Sequence, residues 1–131
     1  MGRAEVMNGY TAPKLVYFLK PAGLDGPIKI GFSSGPIGRT LALSAWSPWP
    51  LELIGAVKGT SADENFLHQC FADCHSHREW FHPVPALREM ISLIVASGSI
   101  EPARAVLVPK GSIRRPRART SHQMRVREVR I

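Results

Sequence analysis

Five side chains in the first half of the chain are spaced so that they could serve one reaction. Tyr17 closes the run Leu15-Val16-Tyr17, Lys29 opens Lys29-Ile30-Gly31, Arg39 stands eight positions past that glycine, and Glu64 and His68 follow four residues apart. In-line attack on a phosphodiester needs a deprotonated water, neutralised equatorial oxygens and a stabilised leaving oxygen. A phenol, a guanidinium and a carboxylate-held divalent cation can supply these in turn. One protein carboxylate suffices for Mg²⁺, or Mn²⁺ in its place, because waters and substrate phosphate can complete its coordination.

Each residue also has a plainer role open to it. Tyr17 lies in an apolar run, where a tyrosine commonly packs in the core with its hydroxyl bonded at the edge. Arg39 falls in the first turn of a helix, against the helix dipole, where a surface arginine gains little and a phosphate contact is favoured. Ser61-x-x-Glu64 reads as a capping box, so Glu64 can cap a helix or hold a metal. A lysine at 29 can depress the pKa of a nearby phenol, act as a base or contact phosphate. His68, one turn after Glu64, can orient it, touch phosphate or simply pack.

The elements that must position these groups follow from periodicity and breakers. Residues 14–20 (KLVYFLK) read as a short buried strand, residues 21–27 as a proline- and glycine-rich turn, and residues 28–32 as an antiparallel return. Ser34-Gly35-Pro36 starts a helix with Ile37 and Leu41 at helical spacing, running to about Trp46. Ser47-Pro48-Trp49-Pro50 ends it, and residues 51–57 (LELIGAV) make a third strand. A second helix opens at residues 60–64 and continues through Cys74, with Phe66, Leu67, Cys70, Phe71 and Cys74 on one apolar face. After Pro83-Val84-Pro85, a third helix carries Leu87, Met90, Ile91 and Ile94 and ends at Gly98. Residues 105–108 could add a brief strand. The fold class is therefore α/β of the α+β kind: a small three-stranded antiparallel sheet with about three helices. The expected organisation is a flexible N-terminus over 1–12, a domain over 13–97 and a basic, largely disordered tail over 98–131.

The net charge of +7 is concentrated in that tail: residues 1–100 hold 8 Lys/Arg and 8 Asp/Glu, residues 101–131 hold 9 and 2. Arg114, Arg115, Arg117 and Arg119 form a proline-broken basic run suited to a phosphate backbone. No run approaches the roughly 18 apolar residues of a membrane span, and residues 1–10 lack the apolar block of a secretory signal, so a cytoplasmic location is expected. Cys70 and Cys74 read as reduced core thiols. With His68, His75, His77 and His82 they could also suggest zinc, but structural zinc sites pair cysteines with a second, well-separated pair, and zinc is the minority reading.

Lys29-Ile30-Gly31, the Glu64-x3-His68 pair and Glu79-Trp80-Phe81, in this order and spacing, resemble the GIY-YIG nuclease superfamily, more closely its phage-type subgroup with KIG and E-x3-H…EWF motifs. The likeness covers about residues 14–95. It implies a three-stranded sheet flanked by helices and a Mg²⁺- or Mn²⁺-dependent DNA endonuclease. By that likeness Tyr17 acts at the nucleophilic water, Arg39 contacts the scissile phosphate and Glu64 binds the metal. Leu15 stands where the first motif usually has glycine, and Lys29 where the second usually has tyrosine. The family's late asparagine has only Glu79 as a loose positional substitute. A noncatalytic nucleic-acid-binding protein on the same fold is the alternative, and an interaction module whose tail binds acidic protein or RNA is a third.

Overall fold

A computed structural model describes residues 12–111. The expected N-terminal segment, up to residue 11, and the basic run with Arg114, Arg115, Arg117 and Arg119 lie outside the described residues. The element order is β1 (Leu15–Pro21), β2 (Ile28–Ser33), α1 (Pro36–Ser44), β3 (Leu51–Lys58), α2 (Ser61–Cys70), a 3-10 turn (Ala72–Cys74), β4 (His75–His77), β5 (Trp80–Phe81), α3 (Pro85–Ser97) and α4 (Glu101–Val106).

One five-stranded sheet has the order β3-β1-β2-β5-β4, every neighbouring pair antiparallel. β1 is thus central to the original three strands. β2 and β3 both oppose it, so they run parallel to each other, and the chain between them must cross over β1. α1 is that crossover and touches β1, β2 and β3.

Alternation along the strands gives the sheet two unlike faces. Val16, Phe18, Ile28 and Ile30 join Leu67, Leu87, Ile94 and Ala103 from α2, α3 and α4 in the main core. Tyr17, Leu19, Lys29 and Gly31 point the other way, where α1 lies with Pro36 and Thr40 buried. β3 accommodates its neighbours with a bulge at Ile54, between the Phe18↔Gly55 and Leu19↔Leu53 pairs. α3 runs close over it: a Cβ on Gly55 would lie 2.5 Å from Cγ2 of Val95. α3 closes on Gly98, which takes the left-handed φ of 78° that glycine accepts at a helix end.

Several expectations are corrected. The sheet has five strands because a hairpin of β4 and β5 extends it past β2. Strands of three and two residues, one of them His75-Ser76-His77, carry no alternation to read. Residues 101–106 are helical, so the brief strand expected at 105–108 does not form, and there are four α-helices among the described residues. Pro102 fits an opening turn, and Ile100 and Ala103 are buried in the core, so packing supports a helix too short to persist alone. Arg104 fastens it, bonding Asp63 Oδ1 at 2.7 Å and lying 4.1 Å over the Phe66 ring. The packed chain therefore continues past residue 97. Finally, α2 ends at Cys70 rather than Cys74, and the 3-10 turn carries Cys74 back into the core. Both thiols are buried, and burial pushes both pKa values up.

Candidate active site

Tyr17 lies on β1, the strand between β2 and β3, opposite Gly31 on β2 and Ala56 on β3. Its side chain is 1% exposed. The ring crosses over Gly31: a Cβ there would stand 2.3 Å from Cζ and 2.5 Å from the hydroxyl oxygen. Only glycine lets the aromatic ring lie across the neighbouring strand, which is the physical meaning of the glycine in Lys29-Ile30-Gly31.

α1 brings Arg39 to the same point. Pro36 occupies the opening turn, the Thr40 hydroxyl donates to the Pro36 carbonyl at 2.7 Å, and the Arg39 amide closes the turn on Gly35. The Arg39 backbone is thereby fixed while its side chain is exposed. The guanidinium is near enough to the Tyr17 hydroxyl to pull its pKa down.

α2 supplies Glu64 and His68 from beyond the β2 edge. Its N-terminus is held by a capping box, but not at Ser61 and Glu64. The Asp63 amide donates to Thr60 Oγ1 at 3.1 Å, and the Thr60 amide donates to Asp63 Oδ2 at 2.9 Å. Capping therefore belongs to Thr60 and Asp63, and the cap role considered for Glu64 is overturned. His68 is fully buried, and Nε2 lies 2.9 Å from the Ile30 carbonyl. A carbonyl only accepts, so Nε2 carries the proton and donates. This bond and a ring contact with Phe81, centroids 5.3 Å apart, dock α2 on β2. Glu64 is one turn away, with Oε2 3.8 Å from the same nitrogen.

Lys29 is only 8% exposed and donates a charge-assisted hydrogen bond to Glu79 Oε1. Glu79 comes from the β4–β5 turn, where the preceding Arg78 adopts φ 52°, and its carbonyl accepts from the Ile30 amide at 3.1 Å. Sequence reasoning had given Glu79 only as a loose substitute for an asparagine. Its neighbourhood with Lys29 spans 50 positions, and the signal for it was the Trp80-Phe81 pair that forms β5 beside β2.

The Tyr17 hydroxyl is the meeting point. Burial raises its pKa above the ordinary value, the Arg39 guanidinium pulls it down, and the Glu79 and Glu64 charges push it up. The net shift is upward. The phenol-depressing role considered for Lys29 is therefore corrected: its ammonium is matched to Glu79, and it is Arg39 that opposes the rise. The charges of Arg39, Glu64 and Glu79 thus all act on this hydroxyl, Lys29 is tied to Glu79, and His68 stands behind Glu64 as a positioning group. Two cations, Arg39 and Lys29, and two carboxylates, Glu64 and Glu79, balance in number, and burial is the largest cause of the raised phenol. Among the described residues no three His, Cys, Asp or Glu side chains gather as a metal cage. A hard cation that keeps most of its waters would need no more than Glu64 from the protein here.

No protein-family model, curated protein or solved structure matches the chain.

Proposed function

We propose that the protein is a metal-dependent endonuclease of GIY-YIG type that hydrolyses phosphodiester bonds in DNA. The observation that carries this reading is that three consecutive residues of β2 seat the candidate groups: Lys29 bonds Glu79, the Ile30 carbonyl docks His68 with Glu64 one turn away, and Gly31 lies under the Tyr17 ring. Tyr17 keeps its proton at neutral pH, so its hydroxyl orients the attacking water by hydrogen bonding rather than serving as a ready phenolate. Arg39, exposed and held at that hydroxyl, meets the charge on the phosphate oxygens. Glu64 is the residue that would hold Mg²⁺ or Mn²⁺, which supplies charge neutralisation and a more acidic water when bound. Lys29 and Glu79 set the local charge as a pair, and His68 keeps α2, and so Glu64, against β2. Arg114, Arg115, Arg117 and Arg119 would add sequence-independent affinity for the backbone.

The test is nicking of supercoiled plasmid with Mg²⁺ or Mn²⁺ by the full chain and by Tyr17→Phe, Arg39→Ala and Glu64→Ala. All three variants are expected to lose activity while staying folded. Cleavage that survives Glu64→Ala would overturn the metal assignment. A noncatalytic nucleic-acid-binding protein is the second reading, favoured by the commitment of Lys29 to Glu79. It expects salt-sensitive binding, no metal requirement and no cleavage.

A further inference from the structure

Tryptophan is usually drawn into a core, yet Trp46 is 90% exposed. It is not left out by a loose loop. The turn beyond α1 keeps helical bonding, with the Ala45 amide on the Leu41 carbonyl at 3.3 Å, Trp46 on Leu43 at 3.1 Å and Ser47 on Ser44 at 3.2 Å. The Ser44 hydroxyl then accepts from the Leu51 amide at 2.9 Å, and the Pro50 carbonyl accepts from Ala22 at 2.8 Å. The indole is presented on a braced backbone.

Trp46 follows Arg39 by seven residues, two helical turns, so both lie on one flank of α1 about 10 Å apart. A cation that suits a phosphate and an exposed ring in line with it make the pairing used to hold a single strand: charge follows the backbone and the aromatic face takes a base. A second copy of this chain fits less well, since its charge of +7 would repel its twin while attracting a polyanion. Bases inside an intact duplex are already stacked and offer no face to an indole.

We propose that Trp46 is a base-stacking platform, and that the preferred ligand is nucleic acid with an unpaired segment close to the phosphate engaged at Arg39. The proposal deepens the nuclease reading and rests on it for the position of that phosphate.

The experiment is fluorescence anisotropy of the full chain at fixed salt in EDTA, with a labelled duplex and the same duplex carrying a single-stranded gap. The wild type is expected to prefer the gapped DNA. Trp46→Ala should lose roughly tenfold on the gapped probe and nothing on the duplex, and Trp46→Phe should retain most of the preference. Because the side chain is exposed, the melting temperature of both variants should match the wild type. Equal wild-type affinity for the two probes, or an unchanged preference in Trp46→Ala, overturns the proposal. So does sedimentation showing a wild-type dimer that Trp46→Ala dissociates. Binding in EDTA separates the two readings: absent cleavage with an intact gap preference sinks only the nuclease, and cleavage without that preference sinks only the platform.

Discussion

Replacing Gly31 with alanine tests the contact on which the candidate site is built. The new Cβ would stand 2.3 Å from Cζ, 2.5 Å from the hydroxyl oxygen and 2.7 Å from Cε2 of Tyr17, whereas ordinary contact begins at 3.4 Å. The ring must therefore retreat by about 1 Å, the shortfall at Cζ. It has little room, being 1% exposed on a central strand paired on both sides. Overpacking of this kind costs about 1–3 kcal/mol. Alanine also restricts the unfolded chain, which favours the variant by about 0.4–1 kcal/mol. A net loss of roughly 1–2 kcal/mol is expected. That leaves most of a small domain's stability of about 5–15 kcal/mol, so the variant should still fold. Its hydroxyl, however, moves by about the distance that costs a catalytic site ~100-fold in rate.

Urea denaturation and plasmid nicking with Mg²⁺ read the two effects, and a second background isolates their cause. Tyr17→Phe removes the hydroxyl but keeps Cζ, so Gly31→Ala should cost nearly as much there as in the wild type. Tyr17→Leu removes the far half of the ring, and in that background Gly31→Ala should cost less than about 0.5 kcal/mol, with the difference appearing as coupling energy. An equal cost in the leucine background, or no cost in the wild type, would refute the crossing of ring and glycine.

Adjacent carboxylates on α2 should separate in function. Asp63→Ala removes the capping box and the Arg104 bond and should lose about 1–2 kcal/mol in denaturation with little change in nicking, while Glu64→Ala should do the reverse. Burial works against ionisation of Asp63, but the bonds from Arg104 and Thr60 outweigh it and lower its pKa. Its contribution is present above its ordinary 3.8 and lost as pH falls through the folded value, so an acid titration of wild type against Asp63→Ala should show the difference vanish there. Tyr17 has the opposite sense: its raised phenol contributes stability that is intact below pH 10.0 and lost as pH rises through the folded value, and Tyr17→Phe should flatten that alkaline limb in melting experiments. Arg78→Gly should raise the urea midpoint, by up to about 1 kcal/mol, because φ 52° strains an arginine and not a glycine; a lowered midpoint would show that the side chain holds the hairpin.

The parts legible in the sequence were those with enough residues to show a period or a stop. β1 shows as a continuous apolar run, β3, α2 and α3 alternate or repeat, and prolines, Gly98 or polar turns end the elements; α1 was placed by Pro36 and the Ser47-Pro48 stop, whereas its Ile37 and Leu41 spacing marks an exposed face and Pro36 and Thr40 are the buried residues. β4, β5 and α4 are too short for that, and their structure comes from partners: Phe81 paired with Ile28, Ala103 in the core, Arg104 on Asp63. The capping box was misplaced by one residue because Thr60 and Ser61 are equally able to cap; only the bonds that Thr60 makes identify it. In the candidate site, Tyr17, Arg39 and Glu64 could be named from type and spacing. Glu79 could not be given a partner, since its meeting with Lys29 depends on a hairpin that sequence did not disclose.

The crossover explains why these distant side chains meet at all. β2 and β3 flank β1 in the same direction, so α1 has to pass over β1 on the face opposite the main core, and Arg39 in its first turns arrives above Tyr17. On the other side of β2, the edge left by the two-residue β5 exposes the Ile30 carbonyl, which His68 takes, and Glu64 then stands one turn off. Residues 1–100 balance 8 Lys/Arg against 8 Asp/Glu, so attraction for phosphate in this part of the chain comes from placement and not from net charge. Lys29 is buried and matched to Glu79, whereas Arg39 is exposed beside a hydroxyl that keeps its proton. Of the two cations, Arg39 is therefore the one whose charge can reach a ligand without first breaking a partly buried pair, since parting Lys29 from Glu79 would leave a charge unmatched.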